Sequence, residues 1–411
     1  MRSLEASASL RRLESELAAL RVNSQLRHLE ILPDLNFSSN DYLGLSVDPR
    51  LREAVADALA QGSPVGSTGS RLLSGHAAIW EELESQLAQF SGAEAALYFS
   101  SGYAANVGLF SAVLRPDDIV FSDSANHASI IDGIRLSGAH KVIFSHLDLN
   151  ALESDLRQSG GGAGQKFIAI ESVFSMDGDR APLTDLMALA DRHDAELIVD
   201  EAHATGVFGP QGRGLVAAAE AEGRVFAAVH TCGKALAGMG AFVSGSRTLK
   251  QFLINRARTF IFSTALPPYL AAQMRAAIGI VAGADAERER LADLAAHLRG
   301  RLRAAAFDTA QSNSQIVPVL LGTNERALQF AARLCHEGFA VRAIRPPTVP
   351  AGSARLRLSL TVRHSREMLD QLVDALIRIR DEDAASPGAA AHADQCSAEH
   401  LSLEQSVAKP Q

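Results

Sequence analysis

Apolar positions recur along this chain with two different textures. Over residues 4 to 27, Leu10, Leu13, Leu17 and Leu20 return at helical spacing between charged side chains. That spacing predicts an amphipathic helix that packs on the body of the protein or on a second subunit. From Asn36 onward, short β-rich runs (AALYFS, DIVFSD, KVIFSH, KFIAIESV, ELIVDEAH and FAAVHT) alternate with longer helical stretches. The runs carry little period-two polarity, as befits strands buried on both faces. Alternation of this kind predicts an α/β fold with a central, mostly parallel sheet covered by helices.

Near residue 285 the texture changes. A charged helical stretch, DAERERLADLAAHLRGRLRAA, is followed by SQIVPVLLG, a second helix, FAVRAIRPP and ARLRLSLT, which predicts a smaller C-terminal α+β domain. After Arg380 the bias to Ala, Ser, Asp, Glu and Gln leaves too little apolar surface to order the chain. The expected divisions are an N-terminal helix and arm (1–45), a large domain (46–284), a small domain (285–380) and a disordered tail (381–411).

Composition narrows the partners. The 411 residues are 47% hydrophobic and 21% charged, in the ordinary globular range, and the formal net charge is −8. With no basic block, nucleic acid is not an expected partner. Cys232, Cys335 and Cys396 are far apart and in no metal-ligand spacing, so they read as reduced thiols and no metal is expected. No run reaches the roughly 20 apolar residues that span a bilayer, and no signal peptide opens the chain, which together predict a cytoplasmic protein with no membrane partner.

Glycine-rich patches must be sorted next, because phosphate cradles and plain turns share the same residues. Gly160, Gly161, Gly162 and Gly164 precede a strand, whereas a phosphate loop follows a strand and opens a helix, so this cluster reads as a flexible turn. FSSGYAAN at 99–106 has the right placement, with Gly102 and Tyr103 at the N-terminus of a helix where an anion is favoured. Asp200 ends the strand ELIVD and is followed closely by His203, at the rim where open α/β sheets bind ligands. Thr231-Cys232-Gly233-Lys234 again follows a strand, and Gly233, Gly238 and Gly240 let a bulky ligand approach the lysine. Most lysines are solvated surface charges. This one stands in sequence with an aspartate at a strand end and a glycine-helix anion seat, the three parts that pyridoxal phosphate (PLP) requires: an imine-forming amine, a carboxylate to keep the pyridine protonated, and a phosphate site.

From about residue 36 to 377 the chain resembles the α-oxoamine synthases, a family of fold-type I PLP-dependent transferases. The resemblance rests on NFSSNDYLGL, GSTGSRLLSGH, FSSGYAAN, SDSANHASIIDG, ESVFSMDGD, VDEAHATG, TCGK, FSTALPP and IRPPTVPAGSARLRLSL, in that order. It implies an acyltransferase that condenses an amino acid with an acyl thioester and loses carbon dioxide. The last motif favours the branch that uses L-alanine and a pimeloyl thioester, carried on coenzyme A or on acyl-carrier protein. A branch that takes glycine with an acetyl thioester, and a non-catalytic subunit, stay open as readings.

Carried over by position, the resemblance implies the following roles. Lys234 is the Schiff-base lysine, Asp200 the partner of the pyridine nitrogen, and His203 the donor to the phenolic oxygen. His127 stacks on the ring and can assist catalysis, while Glu171 and Ser175 lie near the ring and the imine. Gly102, Tyr103 and Thr231 are on the phosphate side, and Thr264 comes from the neighbouring subunit of a homodimer. Substrate positions are Asn40, Thr348, Arg357 for the carboxylate, and Arg27, with Arg21 as its alternative, near the acyl chain. The period-two strand also puts Arg355, Arg357 and Ser359 on one face; a guanidinium fork suits a carboxylate, and Arg355 is expected to be a solvated surface arginine.

Overall fold

The computed structural model describes residues 7–160 and 164–385. Twelve strands are used below, numbered in chain order: β1 (Leu35–Asn36), β2 (Ala95–Phe99), β3 (Ile119–Asp123), β4 (His140–Phe144), β5 (Lys166–Glu171), β6 (Ala195–Asp200), β7 (Ala227–Thr231), β8 (Ala241–Gly245), β9 (Ile316–Gly322), β10 (Phe339–Ala340), β11 (Arg342–Ile344) and β12 (Ala354–Ser359). Each of the six predicted β-rich runs is a strand of one seven-stranded sheet, in the order β2-β8-β7-β6-β5-β3-β4. Every pairing is parallel except the two made by β8, which runs against both β2 and β7. The sequence reading missed β8, because AFVSG follows a run of glycines and alanines that carries no strand signal.

Apolar side chains fill both faces of this sheet, which explains the lack of alternation in its inner strands; the edge strand β4 departs from that expectation, with Phe144 its one buried residue. Phe99, Leu109, Val120, Ile130 and Leu253 pack together over one face. Phe121, Phe144, Ile170, Leu186 and Val199 pack over the other. A third cluster runs from Phe37 and Trp80 through Met274 to Leu298, Phe330 and Leu372, so the C-terminal elements share a continuous core with the helices at 78–91 and 269–282.

β11, β12 and β9 form a three-stranded antiparallel sheet, backed by the helices Asp285–Ala304, Asn324–His336 and Arg366–Ala385. The last of these continues five residues past Arg380. Residues 386–411, where most of the expected tail falls, and glycines 161 and 162 of the glycine cluster lie outside the described residues. The segment after the first helix acts as a strap. β1 pairs in parallel with β10, Phe37 N–H donates to Ala340 O, and Phe37 O accepts from Ser359 N–H at 2.7 Å. The first helix itself is shorter than expected, Ala8–Val22, and buries none of its residues. Among the described residues no helix is long and apolar enough to cross a membrane.

A tight turn is one of the contacts that tie the small sheet to the large one. Gly178 closes a tight turn by donating to Phe174 O at 2.9 Å, and its own carbonyl accepts from Asn313 N–H. Its φ is +70°, and a Cβ there would lie 2.0 Å from Ile316 O, so both backbone and space demand glycine. Gly178→Ala should therefore lower stability by more than about 1–2 kcal/mol, the left-handed penalty alone. Urea unfolding measures this directly; an unchanged midpoint would show that the turn relaxes freely.

Candidate active site

Five of the predicted residues sit at or just beyond the carboxyl ends of adjacent parallel strands, where an open α/β sheet binds its ligand. Glu171 ends β5, Asp200 ends β6 and Thr231 ends β7, while His203 and Lys234 lie three residues past the last two ends. The β5–β6 register makes Glu171 and Asp200 direct neighbours. Asp200 is fixed on both oxygens: Oδ2 accepts from Asn106 Nδ2 at 2.6 Å, and Oδ1 accepts from Ala202 N–H at 2.9 Å. Asn106 also donates to Ser129 Oγ, whose neighbour in the network is His127 Nδ1 at 2.7 Å.

A chain of hydrogen bonds leads from the lysine to the small sheet. Lys234 Nζ is 2.9 Å from His203 Nε2, His203 Nδ1 is 2.6 Å from Tyr42 Oη, and Tyr42 O–H donates to Asn40 Oδ1 at 3.1 Å. Asn40 Oδ1 also accepts from Arg357 Nη1 at 3.1 Å. One set of protons satisfies all of these: the lysine donates to Nε2, and Nδ1–H donates to the tyrosine. Arg357 is buried, with Nε donating to Ser175 O at 2.5 Å and Nη1 donating to Ser359 Oγ at 2.6 Å. These acceptors are all neutral; among the described residues Arg357 has no carboxylate partner.

Burial dominates the electrostatics. It lowers the Lys234 pKa to about 8 despite the opposing charges of Asp200 and Glu171, with Arg357 pushing the same way as burial. It raises Glu171 to about 8, helped by Asp200 and opposed by Lys234. Glu171 Oε1 is buried with no hydrogen-bond partner among the described residues, while Oε2 accepts from Ser175 N–H at 3.2 Å. Burial likewise holds His203 well below the ordinary histidine value, with Lys234 next in effect, so its ring is neutral. His127 is lowered too, by desolvation first, against the pull of Asp200.

The remaining predicted residues fall into three places. Ser101 caps the helix Gly102–Val113 by accepting from Ala104 N–H, which leaves the Gly102–Tyr103 turn at a helix N-terminus. A Cβ on Gly102 would stand 2.5 Å from Thr231 Cγ2, so the two strand ends approach as closely as the chain allows. The Tyr103 hydroxyl bonds Asp132, and its ring meets His127 edge-on. Thr264 is exposed on a separate cleft with Arg71, Trp80, Tyr98 and Ser100, which Lys234 does not line. Arg27 and Thr348 meet at the surface, with Arg27 Nη2 3.4 Å from Thr348 Oγ1.

One expectation is corrected and several partners were not foreseen. Arg355 is not solvated: it is buried and ion-paired with Asp177. Period two placed its face but could not say that a loop from the large sheet covers that face. Tyr42, Gln315 and Asn106 were missed. Gln315 Nε2 donates to His203 O at 2.9 Å, from a point 112 residues away in the chain, and no local pattern announces it. Asn106 did carry a signal, as a buried amide on a helix otherwise made of small and apolar residues, where an unpaired amide would be costly.

A desolvated amine, two adjacent carboxylates, a neutral histidine and a helix N-terminus held tight against a threonine fit PLP. Comparison with known proteins agrees. The family model for aminotransferase class I and II matches residues 33–376. An 8-amino-7-oxononanoate synthase from Geobacter sulfurreducens is 48% identical over 346 residues, covering 84% of this chain and 88% of that protein. A serine palmitoyltransferase variant from S. paucimobilis, solved with bound PLP and myriocin, superposes with a TM-score of 0.84 at 30% identity, covering 93% of this chain and all of that one. The 8-amino-7-oxononanoate synthase of Francisella tularensis superposes at 0.75 with 28% identity, over 85% and 98% of the two chains. The chain thus belongs to the aminotransferase class I and II family, and within it to the 8-amino-7-oxononanoate synthases.

The burial of Lys234 is directly measurable. In the cofactor-free protein, labelling of Lys234 by an amine-directed reagent, followed by peptide mass spectrometry, should rise to half its maximum near pH 8. A midpoint near the ordinary lysine value would mean that the amine is solvated.

Proposed function

We propose that this protein is a PLP-dependent acyltransferase that condenses L-alanine with a pimeloyl thioester, releasing carbon dioxide and the free thiol, to give 8-amino-7-oxononanoate in biotin biosynthesis. The observation that carries this reading is the desolvated Lys234 amine, under the charges of Glu171 and Asp200 and linked through His203, Tyr42 and Asn40 to a buried arginine that has no carboxylate partner among the described residues. Lys234 would hold the cofactor by its amine, Asp200 would face the pyridine nitrogen, and His203 the phenolic oxygen. Gly102, Tyr103 and Thr231 would hold the phosphate, with Thr264 of a second subunit, and His127, Glu171 and Ser175 would border the ring. When bound, PLP supplies an electron sink for the pair left at the substrate Cα.

The chain's own residues do the rest. Arg357 takes the alanine carboxylate, replacing neutral acceptors with an anion. Held there, the substrate presents its Cα–H and carboxylate bonds in a fixed direction, and Lys234, with a pKa near neutrality, is matched to removing the Cα proton. His127 stands beside the site and can return a proton. Arg27 and Thr348, paired at the surface, suit the acyl chain of a donor carried on coenzyme A or acyl-carrier protein. The exposed Leu13 and Leu17 of the first helix, and Phe262 close to Thr264, support a homodimer with sites completed across its interface. A reducing, cytoplasmic setting agrees with the free Cys232 and Cys335.

The deciding experiment is a product assay in which alanine and glycine are crossed with acetyl and pimeloyl thioesters. Alanine with the pimeloyl donor should win; preference for glycine with the acetyl donor would reassign the substrates and leave the site intact. Lys234→Ala should lose both turnover and borohydride-fixed cofactor. Arg357→Ala should lower kcat/KM for alanine by about 10² or more, the scale of an interaction worth roughly 3 kcal/mol. Unchanged alanine kinetics would mean that another cation binds the carboxylate.

A further inference from the structure

Outside the site just described, the described residues hold one histidine bound by carboxylates at both ring nitrogens, partly buried at the edge of the large sheet. His146 Nδ1 is 2.8 Å from Asp123 Oδ1, and Nε2 is 2.8 Å from Asp179 Oδ2. A neutral imidazole carries one N–H, so it would set its lone pair against one of the two carboxylates; only the imidazolium satisfies both. Asp123 ends β3 with its side chain fully buried and also accepts from Ala125 and Leu147 N–H. Asp179 is buried on the loop that follows β5, and Phe174 of that loop meets the His146 ring edge-on at 4.4 Å. Three charged groups of the neighbouring segments are engaged elsewhere. Asp148 caps the helix it opens, Asp177 pairs with Arg355, and Arg180 donates to Asn313.

The loop 172–180 is thus fastened at two ends. At one end is His146. At the other, Arg357 Nε donates to Ser175 O and Arg355 pairs with Asp177, while Ser175 N–H donates to Glu171 Oε2. Between them, Phe174 N–H donates to Asp179 O at 3.0 Å, closing the turn that carries Ser175. We propose that His146 is a positioning residue: as an imidazolium bridging Asp123 and Asp179, it clamps this loop and thereby sets the Arg357 fork that binds the substrate carboxylate. The proposal rests on the reading of Arg357 given above. Burial opposes the charge, but the bonds and charges of Asp123 and Asp179 overcome it and raise the His146 pKa to about 10. The linkage follows in sign: the clamp's stabilisation is complete below the unfolded value of about 6.5 and is lost as pH rises through about 10.

The first test is nitrogen-15 NMR of the histidines in the holoenzyme at pH 8, with His146→Gln supplying the assignment. Both ring nitrogens of His146 should be protonated; a neutral ring overturns the proposal. The second test is kinetic. His146→Gln and Asp179→Asn should each raise KM for alanine about tenfold while kcat stays within about threefold, because a grip is weakened and no proton carrier is removed. If His146→Gln does not fold, Asp179→Asn and the wild-type spectrum decide. Unchanged KM with a lowered melting temperature would make the bridge merely structural and overturn the proposal. Arg357→Ala is run alongside as the reference. If it leaves alanine kinetics intact, the carboxylate reading itself fails; if it weakens alanine binding while the loop variants do not, only the clamp fails.

Discussion

The active site depends on keeping one amine out of water. A solvated lysine is protonated almost completely at neutral pH and serves neither as nucleophile nor as base. Burial of Lys234 brings its pKa to about 8, and burial of a cation is tolerated only if its surroundings are arranged for it. Here the arrangement is made by the sheet. The in-register pairing of β5 and β6 sets Glu171 beside Asp200, and the turn after β7 delivers Lys234 to them. Burial first, and the neighbouring Asp200 second, displace Glu171 upward, while Asp200 accepts hydrogen bonds on both of its oxygens.

Much of this was legible in the sequence because parallel α/β sheets have a strict grammar. Buried strands read as unbroken apolar runs, and ligand groups follow their carboxyl ends, so Asp200, His203, Thr231 and Lys234 could be placed before any contact was known. The antiparallel β8 was not legible, since its glycine-rich approach mimics a loop. Nor were Tyr42, Gln315 and the Asp177–Arg355 pair. Each joins segments far apart in the chain, and such partners are set by how the small sheet lies on the large one. Period two correctly assigned Arg355 and Arg357 to one face of β12; it could not assign one to an ion pair and the other to neutral acceptors.

That difference gives the two arginines different functions. Arg355 is neutralised within the chain and fixes the loop from β5. Arg357, two residues on, is buried among a backbone carbonyl, an amide and a hydroxyl, which are adequate hydrogen-bond acceptors but poor counterions. The strap at residues 35–43 is what makes this possible, because it inserts Asn40 and Tyr42 between the small sheet and His203. The chain from Lys234 to Arg357 therefore joins four separate parts of the sequence.

The reversed strand has a bearing on biogenesis. β2 leads into the Gly102 turn, yet its only neighbour in the sheet is β8, the last strand of that sheet to be made. A chain emerging from the ribosome would hold β2 as an unpaired edge while β3 to β7 were synthesised, and closing a contact of such long sequence separation is slow. The Gly102 turn, proposed above to hold the cofactor phosphate, would then be among the last parts of the large sheet to form. A chain arrested before residue 245 would have most of its parallel sheet and no finished place for the cofactor, so cofactor capture could report completion of synthesis.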